Sequence, residues 1–177
     1  MNKTLIVIDA QEDFTRGALR NEDAIRALPV IHSVVEYANK NSFDGIYYTM
    51  DTHNNFYHRT QEGKNLPIAH CIYQTKGWKL CPEVQTENDH IIIMKDSFGT
   101  LEWQEWAEEL RHTNEIIVCG FCTDICVISN VLILKALCSE TPITVIENAC
   151  AGITPEKHDA AIEVMKSCQI KIERWGM

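Results

Sequence analysis

The chain alternates short apolar runs with longer segments in which apolar residues recur every three or four positions. The short runs are rich in β-branched residues and predict strands. They lie at residues 4–9, 45–50, 91–95, 115–119, 143–147 and 170–173. The longer segments have helical periodicity. They lie at residues 23–39, 102–111, 124–137 and 156–167, and Thr154-Pro155 reads as a cap and first-turn proline for the last of them.

This alternation of strand and helix favours a parallel sheet with helices on both faces. The first, third, fourth and fifth runs are apolar nearly throughout, as in strands that are buried on both faces. We therefore predict an α/β fold: a single domain over residues 1–177, with three α/β/α layers and a mostly parallel, roughly six-stranded, Rossmann-like sheet. Residues 51–83 lack clear periodicity, and a long irregular segment in a compact domain is usually functional.

Reactive side chains follow the carboxyl ends of four predicted strands, where open α/β sheets bind ligands. Asp9 ends the first strand, and Asp51 and His53 follow the second. Lys95 ends the third strand, and the turn after the fourth leads to Cys126. An acid, a cation, a thiol and residues of metal-ligand type therefore converge on one edge of the predicted sheet.

Cys126 is placed just inside the start of a predicted helix, with Asp124 or Thr123 as the N-cap. A helix N-terminus and a nearby Lys95 would both lower the pKa of the thiol, and the thiolate is the nucleophile. Asp9 is positioned to move protons between thiol, leaving amine and water. Each residue alone is more often structural, so the prediction depends on their joint placement.

The residues Asp51-Thr52-His53 alternate, so both outer side chains point to the same side of an extended backbone. With His70 and one further oxygen or nitrogen ligand they would form a divalent metal site. One carboxylate and two imidazoles with open positions suit a catalytic metal. The alternative is a polar loop with hydrogen-bonded histidines.

Composition narrows the class of protein further. The net charge is −9 and no Lys/Arg-rich run occurs, which argues against nucleic-acid binding. No apolar run is long enough for a signal peptide or a membrane span, so a cytoplasmic location is expected, with the eight cysteines reduced. The Cys119-x-x-Cys122 spacing leaves a dithiol oxidoreductase open as an alternative.

Five segments in order along the chain resemble the isochorismatase-like cysteine hydrolases, and among them the nicotinamidases. They are Ile6-Val7-Ile8-Asp9-Ala10-Gln11-Glu12-Asp13-Phe14, Asp51-Thr52-His53, Pro67-Ile68-Ala69-His70-Cys71, Lys95 with Ser97-Phe98, and Gly120-Phe121-Cys122-Thr123-Asp124-Ile125-Cys126-Val127. The resemblance implies a metal-dependent cysteine amidohydrolase that converts nicotinamide to nicotinate and ammonia through a thioester. Zn²⁺ is the expected metal, with Mn²⁺ or Fe²⁺ as alternatives, and homo-oligomerisation is left open.

The resemblance also assigns roles to residues. It implies a catalytic triad of Asp9, Lys95 and Cys126. It implies metal ligands Asp51, His53 and His70, with Glu62 as the fourth ligand and His58 as the rival candidate. It implies an oxyanion hole made by the N–H groups of Cys122 and Cys126, after a non-proline cis peptide bond between Phe121 and Cys122. It implies substrate contacts from Phe14, Leu66, Phe98, Phe121 and Cys122.

Two positions depart from the family pattern. Many relatives have alanine at the position of Cys122, and several have an aromatic residue at that of Pro67, for which Leu66 is the substitute wall. We read Tyr73 and Trp78 as aromatic residues that pack the loop. An isochorismatase-like hydrolase acting on another small amide, and a non-catalytic binding module, remain the other interpretations.

Overall fold

All the predicted strands form in the computed structural model, which describes residues 2–86 and 89–176. They are β1 (Lys3–Ile8), β2 (Gly45–Asp51), β3 (Ile91–Lys95), β4 (Glu115–Phe121), β5 (Ile143–Ala151) and β6 (Lys171–Glu173). They make one sheet in the order β3-β2-β1-β4-β5-β6, and every neighbouring pair is parallel. The predicted α/β fold class is confirmed.

The helices connect these strands. They are α1 (Glu12–Thr15), α2 (Glu22–Lys40), α3 (Gln61–Asn65), α4 (Trp103–His112), α5 (Ile128–Leu137) and α6 (Pro155–Ser167), with 3₁₀ turns at Tyr57–Arg59 and Pro82–Val84. The sequence did not predict α1 and α3, because helices of four and five residues are too short to show a period. None of the helices in the described ranges is long and apolar enough to cross a bilayer.

The predicted helix at residues 124–137 starts differently from the expectation. A π-helical turn, Thr123–Val127, precedes α5. Neither predicted cap acts as one, since the Thr123 hydroxyl lies 2.8 Å from Nδ1 of His158 and Oδ1 of Asp124 accepts from the Ile153 N–H at 2.9 Å. Both side chains therefore join this turn to the start of α6, whereas the predicted Thr154 cap of α6 does form.

The core lies along the two central strands. The side chains from Leu5 to Ile8 of β1 have no exposed surface, and those of β4 are buried from Ile116 to Phe121. The third strand does not follow the expectation of burial on both faces. Ile92 and Met94 are 48% and 49% exposed, because β3 is the edge strand of the sheet.

The irregular segment after β2 folds back onto the end of β1. The side chain of Gln11 donates to the carbonyl oxygens of Asp51 (2.9 Å) and Trp78 (2.7 Å) and accepts from the Asp51 N–H. Oδ2 of Asp13 accepts from the Cys71 N–H at 2.6 Å. These buried side chains fix the loop beside the carboxyl edge of the sheet, where a cleft opens.

Candidate active site

The three predicted catalytic residues meet at this edge. Asp9 directly follows β1, Lys95 is the last residue of β3, and Cys126 lies in the π-helical turn after β4. The Lys95 ammonium lies 2.7 Å from Oδ2 of Asp9 and 3.6 Å from Sγ of Cys126. All three residues are almost wholly buried, so this is an ion pair and a thiol in a site shielded from bulk water.

Thr49 on β2 fixes the Asp9 carboxylate. The Thr49 hydroxyl donates to Oδ1 of Asp9 at 2.6 Å, and the Asp9 N–H donates back to the Thr49 carbonyl oxygen at 3.2 Å. These bonds hold Asp9 at a φ of 46°, which is uncommon for a residue other than glycine. Thr49 was not among the predicted site residues, because a threonine inside a strand looks like any other β-former.

Burial and the ion pair set the charge states of Lys95 and Asp9. Burial opposes the charge on Lys95, but Asp9, Cys126 and Asp51 together outweigh it and raise the pKa of the ammonium above its ordinary value. Burial also raises the pKa of Asp9, and Lys95 opposes that rise only in part. Lys95 is therefore a permanent cation, and Asp9 is a stronger base than a solvated carboxylate.

The expected lowering of the Cys126 pKa is not found. Burial raises the pKa of this thiol well above its ordinary value, and the nearby Lys95 charge lowers it by less. The reason is desolvation, because Cys126 is only 6% exposed and a thiolate there lacks hydration. The resting group is a neutral thiol beside an ion pair, so thiolate formation requires a base in the site.

The predicted metal ligands form a second group beside the first. One ligand atom each from Asp51, His53 and His70 lies within 4.8 Å of the others. Oδ2 of Asp51 is 3.0 Å from Nε2 of His53 and 3.3 Å from Nε2 of His70. The two groups are joined at Lys95, whose ammonium is 3.7 Å from Oδ1 of Asp51.

Glu62 reaches this second group and His58 does not. Oε1 of Glu62 lies 3.6 Å from Nε2 of His53 and 3.5 Å from Nε2 of His70. The short helix α3 presents Glu62, and the Thr60 side chain caps it by accepting from the Gly63 N–H. His58 lies in the preceding 3₁₀ turn and is exposed to solvent.

The donor atoms fit a divalent cation. Nδ1 of His70 lies 2.8 Å from the carbonyl oxygen of Ile68, a contact that leaves Nε2 with a free lone pair. Nε2 of His53 is buried, and among the described residues no contact, including the one at 3.0 Å to Oδ2 of Asp51, has the geometry of a hydrogen bond to it. Burial alone would raise the pKa of Asp51, but the two imidazoles and Lys95 hold it below its ordinary value, so the carboxylate is ionised. Two nitrogen donors and two carboxylates are a ligand set for zinc or a similar metal.

The turn that carries Cys126 is tightly closed. The peptide bond between Phe121 and Cys122 is cis, as predicted. The Cys122 carbonyl oxygen accepts from the N–H groups of Ile125 (3.1 Å) and Val127 (3.0 Å). The carbonyl side of the turn is thus occupied, and the N–H groups of Cys122 and Cys126 remain the predicted oxyanion hole.

The catalytic residues and the metal-ligand residues face one cleft of about 1580 Å³. Four of the predicted substrate contacts line it: Phe14, Leu66, Phe98 and Cys122. Phe121 does not line it, because its side chain is fully buried in the hydrophobic core. Trp78 packs the loop as predicted, with its ring 4.9 Å from that of Tyr73, although Tyr73 also borders the cleft.

The chain is similar to known proteins along nearly its whole length. A family model described as the isochorismatase domain matches residues 3–175. A pyrazinamidase of Pyrococcus horikoshii in complex with zinc is 28% identical with a TM-score of 0.83, over 99% of this chain and 100% of that one. A nicotinamidase of Bacillus subtilis is 24% identical with a TM-score of 0.84, over 98% and 100%.

More distant amidases share the fold as well. An N-carbamoylsarcosine amidase of Thermoplasma acidophilum is 19% identical with a TM-score of 0.78, over 100% of this chain and 98% of that one. A sequence search among proteins of curated function gives no significant match.

Proposed function

Because this chain belongs to the isochorismatase family of hydrolases, we propose that it is a cysteine amidohydrolase that converts nicotinamide and water to nicotinate and ammonia. One observation carries the proposal. The Lys95 ammonium contacts both Asp9 and Cys126, and a set of metal-ligand side chains opens into the same cleft. A nucleophile and a recognition site for a ring nitrogen would thus flank a bound aromatic amide.

The first half of the reaction forms a thioester. Asp9 takes the proton of the Cys126 thiol, and Sγ attacks the amide carbon. The N–H groups of Cys122 and Cys126 hold the negative oxygen of the tetrahedral intermediate. Asp9 then returns its proton to the amide nitrogen, the C–N bond breaks and ammonia leaves. The raised pKa of Asp9 suits it to both proton transfers.

The second half hydrolyses the thioester. Asp9 takes a proton from water, the resulting hydroxide attacks the same carbon, and Sγ leaves as a thiolate that takes this proton from Asp9. The carboxylic acid formed then loses its own proton to give nicotinate. Lys95 remains charged throughout and stabilises each thiolate, because its pKa is raised by the neighbouring anions. The buried position of all three residues excludes bulk water and strengthens these interactions.

Asp51, His53, His70 and Glu62 would hold a divalent metal, with Zn²⁺ the expected ion and Mn²⁺ or Fe²⁺ the alternatives. When bound, it would supply a Lewis-acid site for the ring nitrogen of the substrate. Phe14 lines the cleft, and its ring lies edge-on to that of His70 at 6.2 Å, so it can pack on a substrate ring beside this site. The 28% identical relative from Pyrococcus horikoshii, in complex with zinc, supports the assignment.

The other interpretations differ in their support. Hydrolysis of another small amide keeps the same chemistry, and it is favoured by Pro67, which is exposed and leaves Leu66 as the wall of a wide cleft. The dithiol oxidoreductase is disfavoured by the family assignment and by the complete burial of Cys119 in β4. A cytoplasmic location and homo-oligomerisation stay predictions.

An ammonia-release assay on nicotinamide, pyrazinamide and benzamide tests the proposal. Benzamide has the amide but no ring nitrogen, and a site built around a polar partner can reject an analogue that lacks it by on the order of 10⁴-fold. We expect a strong preference for the two nitrogen heterocycles, which a chelator removes. If benzamide is hydrolysed as fast as nicotinamide, the substrate assignment is wrong. The same triad would then act on another small amide.

A further inference from the structure

Asn130 is a fully buried polar residue in the first turn of α5 that has no role in the mechanism above. Its Nδ2 donates to the carbonyl oxygens of Cys126 (2.7 Å) and Phe98 (3.0 Å). Its Oδ1 accepts from the Thr100 N–H (3.2 Å) and from Nε1 of Trp103 (2.8 Å). The four hydrogen bonds of this amide are therefore directed to two segments, the π-helical turn and the stretch from Phe98 to Trp103 that runs from the β3–α4 loop into the first residue of α4.

The orientation of the amide follows from its partners. Two of them are carbonyl oxygens, which only accept, and two are N–H groups, which only donate. Only one rotation of the Asn130 amide satisfies all four. A side chain that could not both donate and accept would leave a buried backbone group of Cys126 or Thr100 without this partner.

The two segments carry opposite parts of the site. One is the π-helical turn with the nucleophile Cys126. The other is the loop from β3 to α4, which carries Phe98 on the cleft wall and Ser97, whose carbonyl oxygen accepts from the Lys95 ammonium at 3.1 Å. The loop packs closely on α5, since a Cβ on Gly99 would lie 2.7 Å from Cδ1 of Ile133 and 3.2 Å from Cβ of Ser129.

We propose that Asn130 is a positioning residue that sets the spacing between Cys126 and the loop that carries Phe98 and contacts the Lys95 ammonium through Ser97. The proposal rests on the proposed amidase function for its kinetic consequences. Lys95 contacts Sγ at only 3.6 Å, so a small displacement of either segment breaks that contact. The same displacement moves the ring of Phe98, which is 46% exposed at the cleft and has its backbone carbonyl held by the amide.

Two matched variants separate the halves of this network. Asn130→Asp keeps the oxygen that accepts from Thr100 and Trp103 but replaces the NH₂ that donates to Cys126 and Phe98 by an oxygen that can carry negative charge. Asn130→Ser is therefore measured beside it as the uncharged variant. Trp103→Phe keeps that NH₂ and removes one bond to Oδ1. Both remove buried hydrogen bonds, so a merely structural role would lower thermal stability in both and change neither kcat nor KM per folded molecule.

We expect Asn130→Asp to lower kcat on nicotinamide by on the order of 10- to 100-fold, to raise KM, and to slow alkylation of Cys126 by iodoacetamide. Trp103→Phe is expected to stay within about twofold of the wild type in all three. A folded Asn130→Asp enzyme with wild-type kcat, KM and alkylation rate would overturn the proposal, as would equal losses in both variants.

Asn130→Ser is the substitute if Asn130→Asp does not fold, because the smaller side chain leaves space for water beside the four groups. We expect Asn130→Ser to differ from Trp103→Phe in kcat, KM and alkylation rate in the same way as Asn130→Asp does. The alkylation rate does not depend on the substrate. If the wild type releases no ammonia from any amide, the proposed function fails, while the alkylation rates still support or overturn the role of Asn130.

Discussion

Replacing Lys95 by methionine tests whether the buried ion pair holds the site together. The change keeps most of the volume of the side chain but removes a cation that is 4% exposed. The Asp9 carboxylate then loses its 2.7 Å partner, and the second carboxylate, on Asp51, loses a cation at 3.7 Å. Breaking a buried pair from one side costs about 3–5 kcal/mol, because it leaves an uncompensated buried charge.

For a chain of this length, each kcal/mol lowers the melting temperature by about 2–4 °C, so Lys95→Met should melt about 6–20 °C below the wild type. The loss should depend on pH. The folded-state pKa of Asp9 is already raised by burial, and without Lys95 it rises further. A group with a raised folded pKa favours folding below its unfolded pKa and loses that contribution as the pH rises. The variant should therefore be destabilised more at pH 8 than at pH 5.

Urea unfolding at both pH values measures this, with Asp9→Asn/Lys95→Met as the matched control. The double variant has no buried charge at this position, so it should be more stable than the sum of the single changes by about 1–3 kcal/mol. A Lys95→Met protein that is as stable as the wild type, or a strictly additive double variant, would refute the ion pair as the main constraint on the site.

Three further predictions concern the same residues. Glu62→Gln should weaken Zn²⁺ binding, measured by calorimetry, by at least about tenfold, whereas His58→Gln should leave it unchanged; the opposite ranking would make His58 the ligand. The rate of Cys126 alkylation should still be rising with pH where an ordinary thiol has reached its plateau, because burial raises the thiol pKa. Lys95→Ala should move this pH profile to higher pH. An unchanged profile would show that Lys95 does not act on the thiol. Asp9→Asn should lose turnover and should also slow alkylation of Cys126 near neutral pH, because Asp9 is the base that takes the thiol proton, and retained ammonia release would exclude Asp9 as the proton carrier.

The fold and much of the site follow from local sequence patterns. The apolar runs of β1 and β4 are long enough to indicate strands, and parallel strands bring their carboxyl ends to one edge. That rule alone places Asp9, Lys95 and Cys126 together before any contact is known. It gave the correct neighbourhood because these residues follow directly from strand ends.

Contacts between segments far apart in the chain could not be predicted from the sequence. Thr123 and Asp124 have the chemistry of helix caps, but tertiary partners near the start of α6 take their side chains. Thr49 and Asn130 are ordinary in their own elements, and only their partners across the fold give them a function. The raised thiol pKa of Cys126 was missed because the depth of burial is not visible in the local sequence.

The choice between Glu62 and His58 is another case. They are four residues apart in a segment without periodicity, and both are metal-ligand types. The 3₁₀ turn and the short helix α3 separate them, with the Tyr57 hydroxyl holding the end of α3 through the Leu66 carbonyl oxygen at 2.9 Å. Only this local geometry turns Glu62 toward the histidines.

The most direct test of the central claim is ammonia release from nicotinamide by the metal-loaded wild type and by Cys126→Ala. We expect steady release of ammonia and nicotinate by the wild type. We expect no measurable turnover by the folded variant, because in the proposed mechanism Sγ of Cys126 forms the thioester. Circular dichroism of the variant supplies the folding control. Substantial turnover by a folded Cys126→Ala protein would contradict covalent catalysis at this residue.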